Sequence, residues 1–218
     1  MKPMLQIALD NLTIEDAIAS AKKVEKYIDV IEVGTILIAS EGKKAIKALK
    51  EAFPNKIIVA DGKIADAGKV FGKMFFENGA DFTTCICALL NCQLLLKQWI
   101  LQKSLASNKE VQIELTSNFT WEQANSWSKA GVPQVVWHRS RDSQASGVKW
   151  GQKDIDAVNK LSNMGFKVTI TGGVALEDIK LFKDIPIYIF IAGRSLRDAE
   201  NPELAAKAFK DEFAKYWS

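Results

Sequence analysis

The strongest constraint on this chain is an alternation: short runs rich in Val, Ile and Leu alternate with segments of helical periodicity from one end to the other. The runs are Met4–Leu9, Ile28–Val33, Lys56–Ala60, Asp81–Ile86, Glu110–Leu115, Gln134–His138, Phe166–Thr171 and Ile187–Ala192, eight in all. Several, among them IDVIEV, KIIVA and IYIFIA, are almost unbroken in apolar residues. A strand with one wet face alternates in character, whereas an unbroken run marks a strand covered on both faces of a parallel sheet. The segments between them carry helix start signals, such as Thr13 followed by Glu15 and Asp16, or Thr120 ahead of WEQANSWSKAG. Gly79, Gly131 and Gly165 fall near the ends of such segments, where a left-handed residue is wanted. Eight units in 218 residues is about 27 residues per unit, which predicts a compact (β/α)8 TIM barrel. No Pro- or Gly-rich linker divides the chain, so the expectation is one domain over residues 1–218. The alternative, an open doubly wound sheet, needs a Gly-rich turn after an early strand; the first run leads instead into Asp10-Asn11-Leu12-Thr13.

Composition removes several classes of function. Lys and Arg total 29 against 26 Asp and Glu, and the basic residues are spread along helical patterns, so nucleic acid is not an expected partner. His138 is the only histidine, which excludes any site needing two imidazoles or more. Cys85, Cys87 and Cys92 form an odd, clustered set whose C-x-C-x4-C spacing matches no usual zinc site. With no recognisable signal peptide they read as reduced thiols of a cytoplasmic protein. Apolar stretches are interrupted well short of the ~18 residues that span a bilayer, so no membrane association is expected.

In a barrel of this kind the chemistry sits at the C-terminal ends of the strands, and here those ends are rich in polar groups. They hold Asp10, Glu32, the segment Asp61-Gly62-Lys63-Ile64-Ala65-Asp66, Glu114, the segment His138-Arg139-Ser140-Arg141-Asp142, Thr171-Gly172-Gly173, and Gly193-Arg194-Ser195. The last two groups place backbone N–H donors and a guanidinium where barrels commonly hold a phosphate, which implies a phosphorylated substrate. Asp10, Glu32, Asp61, Asp66 and Glu114 crowd negative charge around one opening, which is unfavourable unless cations intervene. Lys63 is one such cation. A hard divalent ion, Mg²⁺, with Glu32 and Asp61 as ligands, is the other. The competing expectation is that these carboxylates are solvated rim charges paired with Lys and Arg.

The strings LQIALDN, IEVGTIL, D-x-K-I-A-D-A-G, VQIEL-T, TWEQA, VVWHRSRD-x-Q-A-x-GV-x-W, MGFKVTITGG and IPIYIFIAGRS-x-RDA resemble the 3-keto-L-gulonate 6-phosphate decarboxylases of the orotidine 5'-monophosphate decarboxylase superfamily, over essentially the whole chain. Orotidine decarboxylases share D-x-K-x-x-D but carry lysine at the place of Glu32 and use no metal. The hexulose-6-phosphate synthases, aldolases of the metal-dependent branch, share Glu32, Asp61, Lys63 and the strand-six His, but typically differ at Glu114, Arg141, Thr171 and Arg194. The resemblance implies decarboxylation of 3-keto-L-gulonate 6-phosphate to L-xylulose 5-phosphate through a cis-enediolate, in L-ascorbate catabolism. It implies Mg²⁺ on Glu32 and Asp61, Lys63 stabilising developing negative charge, and Asp66 lent to the neighbouring subunit of a homodimer. His138 and Arg141 would position the proton donor, Asp10 and Glu114 would contact sugar hydroxyls, and Thr171, Gly173, Gly193 and Arg194 would complete the substrate and phosphate contacts. Two departures stand out: Gly62 where the family has alanine, and an unusually apolar segment from Cys87 to Ala106. An aldolase of the synthase type and a non-catalytic sugar-phosphate-binding barrel are the alternatives.

Overall fold

In the computed structural model, residues 1–87, 109–115 and 119–217 are described. Cys92 and most of the apolar segment that follows Cys87 lie outside them. Strands β1 (Met4–Leu9), β2 (Val30–Val33), β3 (Ile57–Ile64), β4 (Phe82–Ile86), β5 (Glu110–Leu115), β6 (Gln134–His138), β7 (Lys167–Thr171) and β8 (Ile187–Ala192) form a closed parallel barrel in chain order. Closure is made by β1 against β8, with Gln6 opposite Ile191 and Ile7 opposite Ala192. The expected (β/α)8 barrel is therefore the observed one.

The unbroken apolar runs have the expected cause. All four residues of β2 are buried, because one set of side chains fills the barrel and the other meets the helices. Val30, Val59, Phe82, Ile189 and Ile191 form the inner cluster, separate from the larger shell between sheet and helices. The inner filling is also partly polar: Gln6, Gln112, Gln134 and Thr169 are fully buried, and Gln112 Nε2 donates to Gln134 Oε1 at 2.8 Å. The helix signals act as expected. Thr13 Oγ1 accepts from Asp16 N at 3.2 Å to start helix Ile14–Lys22, and Thr120 with Gln123 forms a reciprocal cap on helix Trp121–Lys129. Gly79, Gly131 and Gly165 all take positive φ.

Beyond single-residue shifts at the starts of β3, β4 and β7, two strand boundaries differ from the sequence expectation. β2 starts at Val30 rather than Ile28, because the carboxylate of Asp29 takes the backbone N–H of Leu5 at 2.8 Å in place of a ladder carbonyl. β3 runs on to Ile64, so Asp61, Gly62 and Lys63 belong to the strand rather than to the loop after it. There the register against β4 shifts between Ala60 and Ile64, and Lys63 has φ of 42°. Thr84 supports the irregular strand: its Oγ1 accepts from Lys63 N at 3.0 Å and donates to Asp61 Oδ1 at 2.7 Å. Such a bulge re-aims side chains at a strand end.

Candidate active site

A cavity of about 670 Å³ opens at the C-terminal ends of the strands. Asp10, Glu32, Asp61, Lys63, Glu114 and His138 line one side; Thr171, Gly173, Gly193 and Arg194 line the other. Strand ends distant in sequence thus bring these nominated residues to one opening.

Glu32, Asp61 and Glu114 are only 8%, 6% and 7% exposed, so they are not solvated rim charges. Asp61 is held by Thr35, whose Oγ1 donates to Oδ2 at 2.7 Å, by Thr84 on Oδ1, and by the Lys63 ammonium at 3.2 Å. The same ammonium reaches Glu114 Oε2 at 2.6 Å. Burial works against the charged lysine, but Asp61 and Glu114 outweigh it and raise its pKa above the ordinary value. Burial likewise works against Glu114, yet the His138 hydrogen bond and the Lys63 charge hold its pKa down at about 2. An ionised carboxylate only accepts hydrogen bonds. In the 2.6 Å contact between His138 Nδ1 and Glu114 Oε1, the proton therefore sits on Nδ1. Nε2 is the ring nitrogen left for a ligand.

Glu32 lacks such compensation. Burial first, and then the charge of Asp61, push its pKa well above the ordinary carboxylate range, while Lys63 and a hydrogen bond from Gln6 Nε2 work the other way. Three buried carboxylates therefore face one ammonium. A hard dication with oxygen ligands fits this set by both charge and donor type. Among the described residues no group of three His, Cys, Asp or Glu side chains is arranged to hold a metal. Two carboxylates, with water or substrate oxygens completing the shell, is the manner in which Mg²⁺ is usually bound.

The opposite wall is built from loops. The guanidinium of Arg139 donates to Gly172 O at 2.9 Å, Gly173 O at 3.0 Å and Val148 O at 3.1 Å, and lies 4.5 Å from the centre of the Trp150 ring. Gly172, at φ of 111°, is required here, since a Cβ would lie 2.2 Å from Arg139 O. Gln144 bridges onward: its Oε1 accepts from Arg194 Nη2 at 2.8 Å.

Two nominated residues are not brought into this constellation. Asp66 is exposed and does not line the cavity. Arg141 opens the short helix Arg141–Ala145, and its side chain lies outside the described residues. Sequence reasoning missed Gln6, Thr35, Thr84, Arg139 and Gln144. Gln6 did leave a signal, as the one polar residue interrupting the apolar run of β1. Arg139 and Gln144 lay within the stretch already singled out around His138.

A family model described as "Orotidine 5'-phosphate decarboxylase / HUMPS family" matches residues 3–209. A Mycoplasma pneumoniae protein named "Probable 3-keto-L-gulonate-6-phosphate decarboxylase" is 57% identical over 99% of this chain and 98% of its own length. A crystal structure of KGPDC from Streptococcus mutans in complex with ribose 5-phosphate is 41% identical, with a TM-score of 0.93 over 99% of both chains. The 3-hexulose-6-phosphate synthase of Salmonella typhimurium has a TM-score of 0.87 at 28% identity, covering 99% of this chain and 100% of its own.

Proposed function

The chain belongs to the orotidine 5'-phosphate decarboxylase / HUMPS family, and from that premise we propose that it is a Mg²⁺-dependent carboxy-lyase acting on 3-keto-L-gulonate 6-phosphate. The observation that carries this reading is the buried group of Glu32, Asp61, Lys63 and Glu114 with the lone His138 docked on Glu114. The higher identity to the decarboxylases than to the synthase favours decarboxylation over aldol chemistry. The sugar phosphate bound by the Streptococcus mutans protein supports a ligand of the same class here.

In the proposed reaction the bond between the carboxylate carbon and C2 breaks, CO2 leaves, and the electron pair moves onto the C3 oxygen as a cis-enediolate. Mg²⁺ held by Glu32 and Asp61 would supply Lewis-acid stabilisation of that oxyanion. The Lys63 ammonium, fixed between Asp61 and Glu114, offers a second positive charge that is in place before the negative charge develops. Glu114 fixes the tautomer of His138 and so presents Nε2 to the substrate. His138, with Arg141 and a water, then returns a proton to C2 and gives L-xylulose 5-phosphate. Thr171, Gly173, Gly193 and Arg194 grip the phosphate end and thereby set the distance of the reacting carbons from Lys63. Asp10 and Glu114 contact the sugar hydroxyls.

Asp66, exposed and away from the cavity of its own chain, is assigned to the site of a second copy in a homodimer. The exposed Val70 and Phe71, close after it in helix Gly68–Glu77, are consistent with a face covered by that copy. No helix among the described residues is long and apolar enough to cross a membrane. A cytoplasmic role in L-ascorbate catabolism completes the proposal. It is tested by CO2 release from 3-keto-L-gulonate 6-phosphate with Mg²⁺ and after chelation. Turnover that survives exhaustive chelation refutes the metal assignment, and formaldehyde condensation without CO2 release refutes the decarboxylase.

A further inference from the structure

We propose that Gln144 is a positioning residue: it ties the guanidinium of Arg194 to the end of β6, so that the phosphate anchor and the proton-returning loop are set by one hydrogen-bonded brace. The brace rests on the proposed function, in which Arg194 engages phosphate and the β6 end serves protonation.

The two ends of the Gln144 carboxamide are used on different loops. Its Oε1 accepts from Arg194 Nη2 at 2.8 Å, while its Nε2 donates to Arg139 O at 2.9 Å and Ser140 O at 3.3 Å. Its backbone N–H also goes to Ser140 O, at 3.0 Å, which starts the short helix that carries Arg141. Arg139, whose carbonyl Gln144 grips, directly follows His138 and is itself pinned by its guanidinium to Gly172 O and Gly173 O. Gly173 lets the carboxamide lie close, since a Cβ there would stand 2.3 Å from Gln144 Oε1. The loops after β6, β7 and β8 are in this way joined through two side chains.

The arrangement leaves the anion site open. A guanidinium has five N–H donors, and among the described residues Arg194 donates only one of them to the protein, to Gln144. The rest of the fork is available to phosphate oxygens, now held in a fixed direction. Binding energy gained at a remote phosphate accelerates chemistry only if it is transmitted as orientation at the reacting carbon. The chain of contacts from Arg194 through Gln144 to Arg139 O ends one residue from His138.

The test is a double-mutant cycle on affinity for L-xylulose 5-phosphate by titration calorimetry, with kcat and KM measured alongside. Gln144→Ala is expected to weaken product binding on the order of tenfold, the loss of one charge-assisted hydrogen bond, and to lower kcat as well. In an Arg194→Ala background it should weaken binding no further, because its partner is gone. Gln144→Glu keeps an acceptor for Arg194 but has no donor for Arg139 O, so kcat should stay low. The proposal is overturned by unchanged affinity and kcat in Gln144→Ala, by equal losses with and without Arg194, or by full kcat in Gln144→Glu. A thermal melt checks that each variant is folded, and Gln144→Met replaces the alanine variant if that one is not. A wild-type protein that neither binds the product nor releases CO2 would instead refute the proposed function.

Discussion

Gly62 is where this chain departs from its family between the two most important residues of β3, and its neighbourhood explains the departure. A Cβ at position 62 would lie 2.3 Å from Cε2 and 3.0 Å from Cζ of Phe75, a side chain that is 2% exposed. The ring cannot withdraw freely, since it packs against Phe71 with centroids 5.9 Å apart. Gly62 is not among the glycines with positive φ, so its backbone accepts an L side chain. On backbone grounds alone, Gly62→Ala would stabilise the protein by about 0.4–1 kcal/mol through the unfolded state. Forcing a methyl into a filled core costs about 1–3 kcal/mol, so the clash wins and the variant should lose roughly 1–2 kcal/mol net. For a chain of this size each 1 kcal/mol moves the thermal midpoint by about 2–4 °C. Phe75→Leu removes the obstructing edge of the ring; in that background Gly62→Ala should be neutral or stabilising. Urea unfolding and thermal melts of the wild type, both single variants and the double variant complete the cycle. A coupling energy near zero, with Gly62→Ala equally harmful in both backgrounds, would show that Phe75 is not what requires glycine.

Two further outcomes follow from the charges. The folded-state pKa of Glu114, about 2, lies below the ordinary value of 4.5, so its contribution to stability is complete above pH ~4.5 and is lost as pH falls toward 2. Glu114→Gln should flatten the acid limb of a plot of unfolding free energy against pH, removing on the order of 3 kcal/mol across that window; a slope identical to the wild type's would refute the pairing with Lys63 and His138. Gln6 donates to Glu32 from inside the barrel, so Gln6→Met, which keeps volume but loses the donor, should weaken Mg²⁺ binding about 10- to 100-fold by calorimetry. Unaltered affinity would show that Glu32 is oriented without Gln6.

The barrel was legible because its signal is redundant: eight apolar runs, each bounded by helix starts and stops, leave few ways to close a sheet. The end residues of β1, β5, β6 and β8 could be read to the residue, since polar or turn-forming groups abut the apolar run on both sides. The far end of β3 could not. Its continuation through Asp61-Gly62-Lys63 depends on a lysine at positive φ, a conformation no local pattern signals for that residue type, and on a threonine from β4 that completes the hydrogen bonding. Arg139 and Gln144 were hidden for a related reason. Their partners are mostly backbone carbonyls and a guanidinium tens of residues away, and carbonyls leave no mark in a sequence.

The single histidine is sufficient for this site only because its surroundings settle two matters that a second imidazole would otherwise share. The ionised Glu114 accepts from Nδ1 and so fixes which ring nitrogen faces the cavity. Charge compensation is left to Lys63 and to the metal proposed at Glu32 and Asp61, which leaves His138 free of any role as a ligand. Glu114 is then the joint of the site, because one oxygen orients the histidine while the other anchors the ammonium. Electrostatic stabilisation arises from β2, β3 and β5, phosphate grip from the loops after β7 and β8, and the two meet on β6, whose last residue is the histidine and whose next carbonyl is held by Gln144. His138→Asn should accordingly spare Mg²⁺ and phosphate affinity, read by calorimetry, while slowing return of the proton; lost Mg²⁺ affinity in that variant would show that the histidine serves the metal after all.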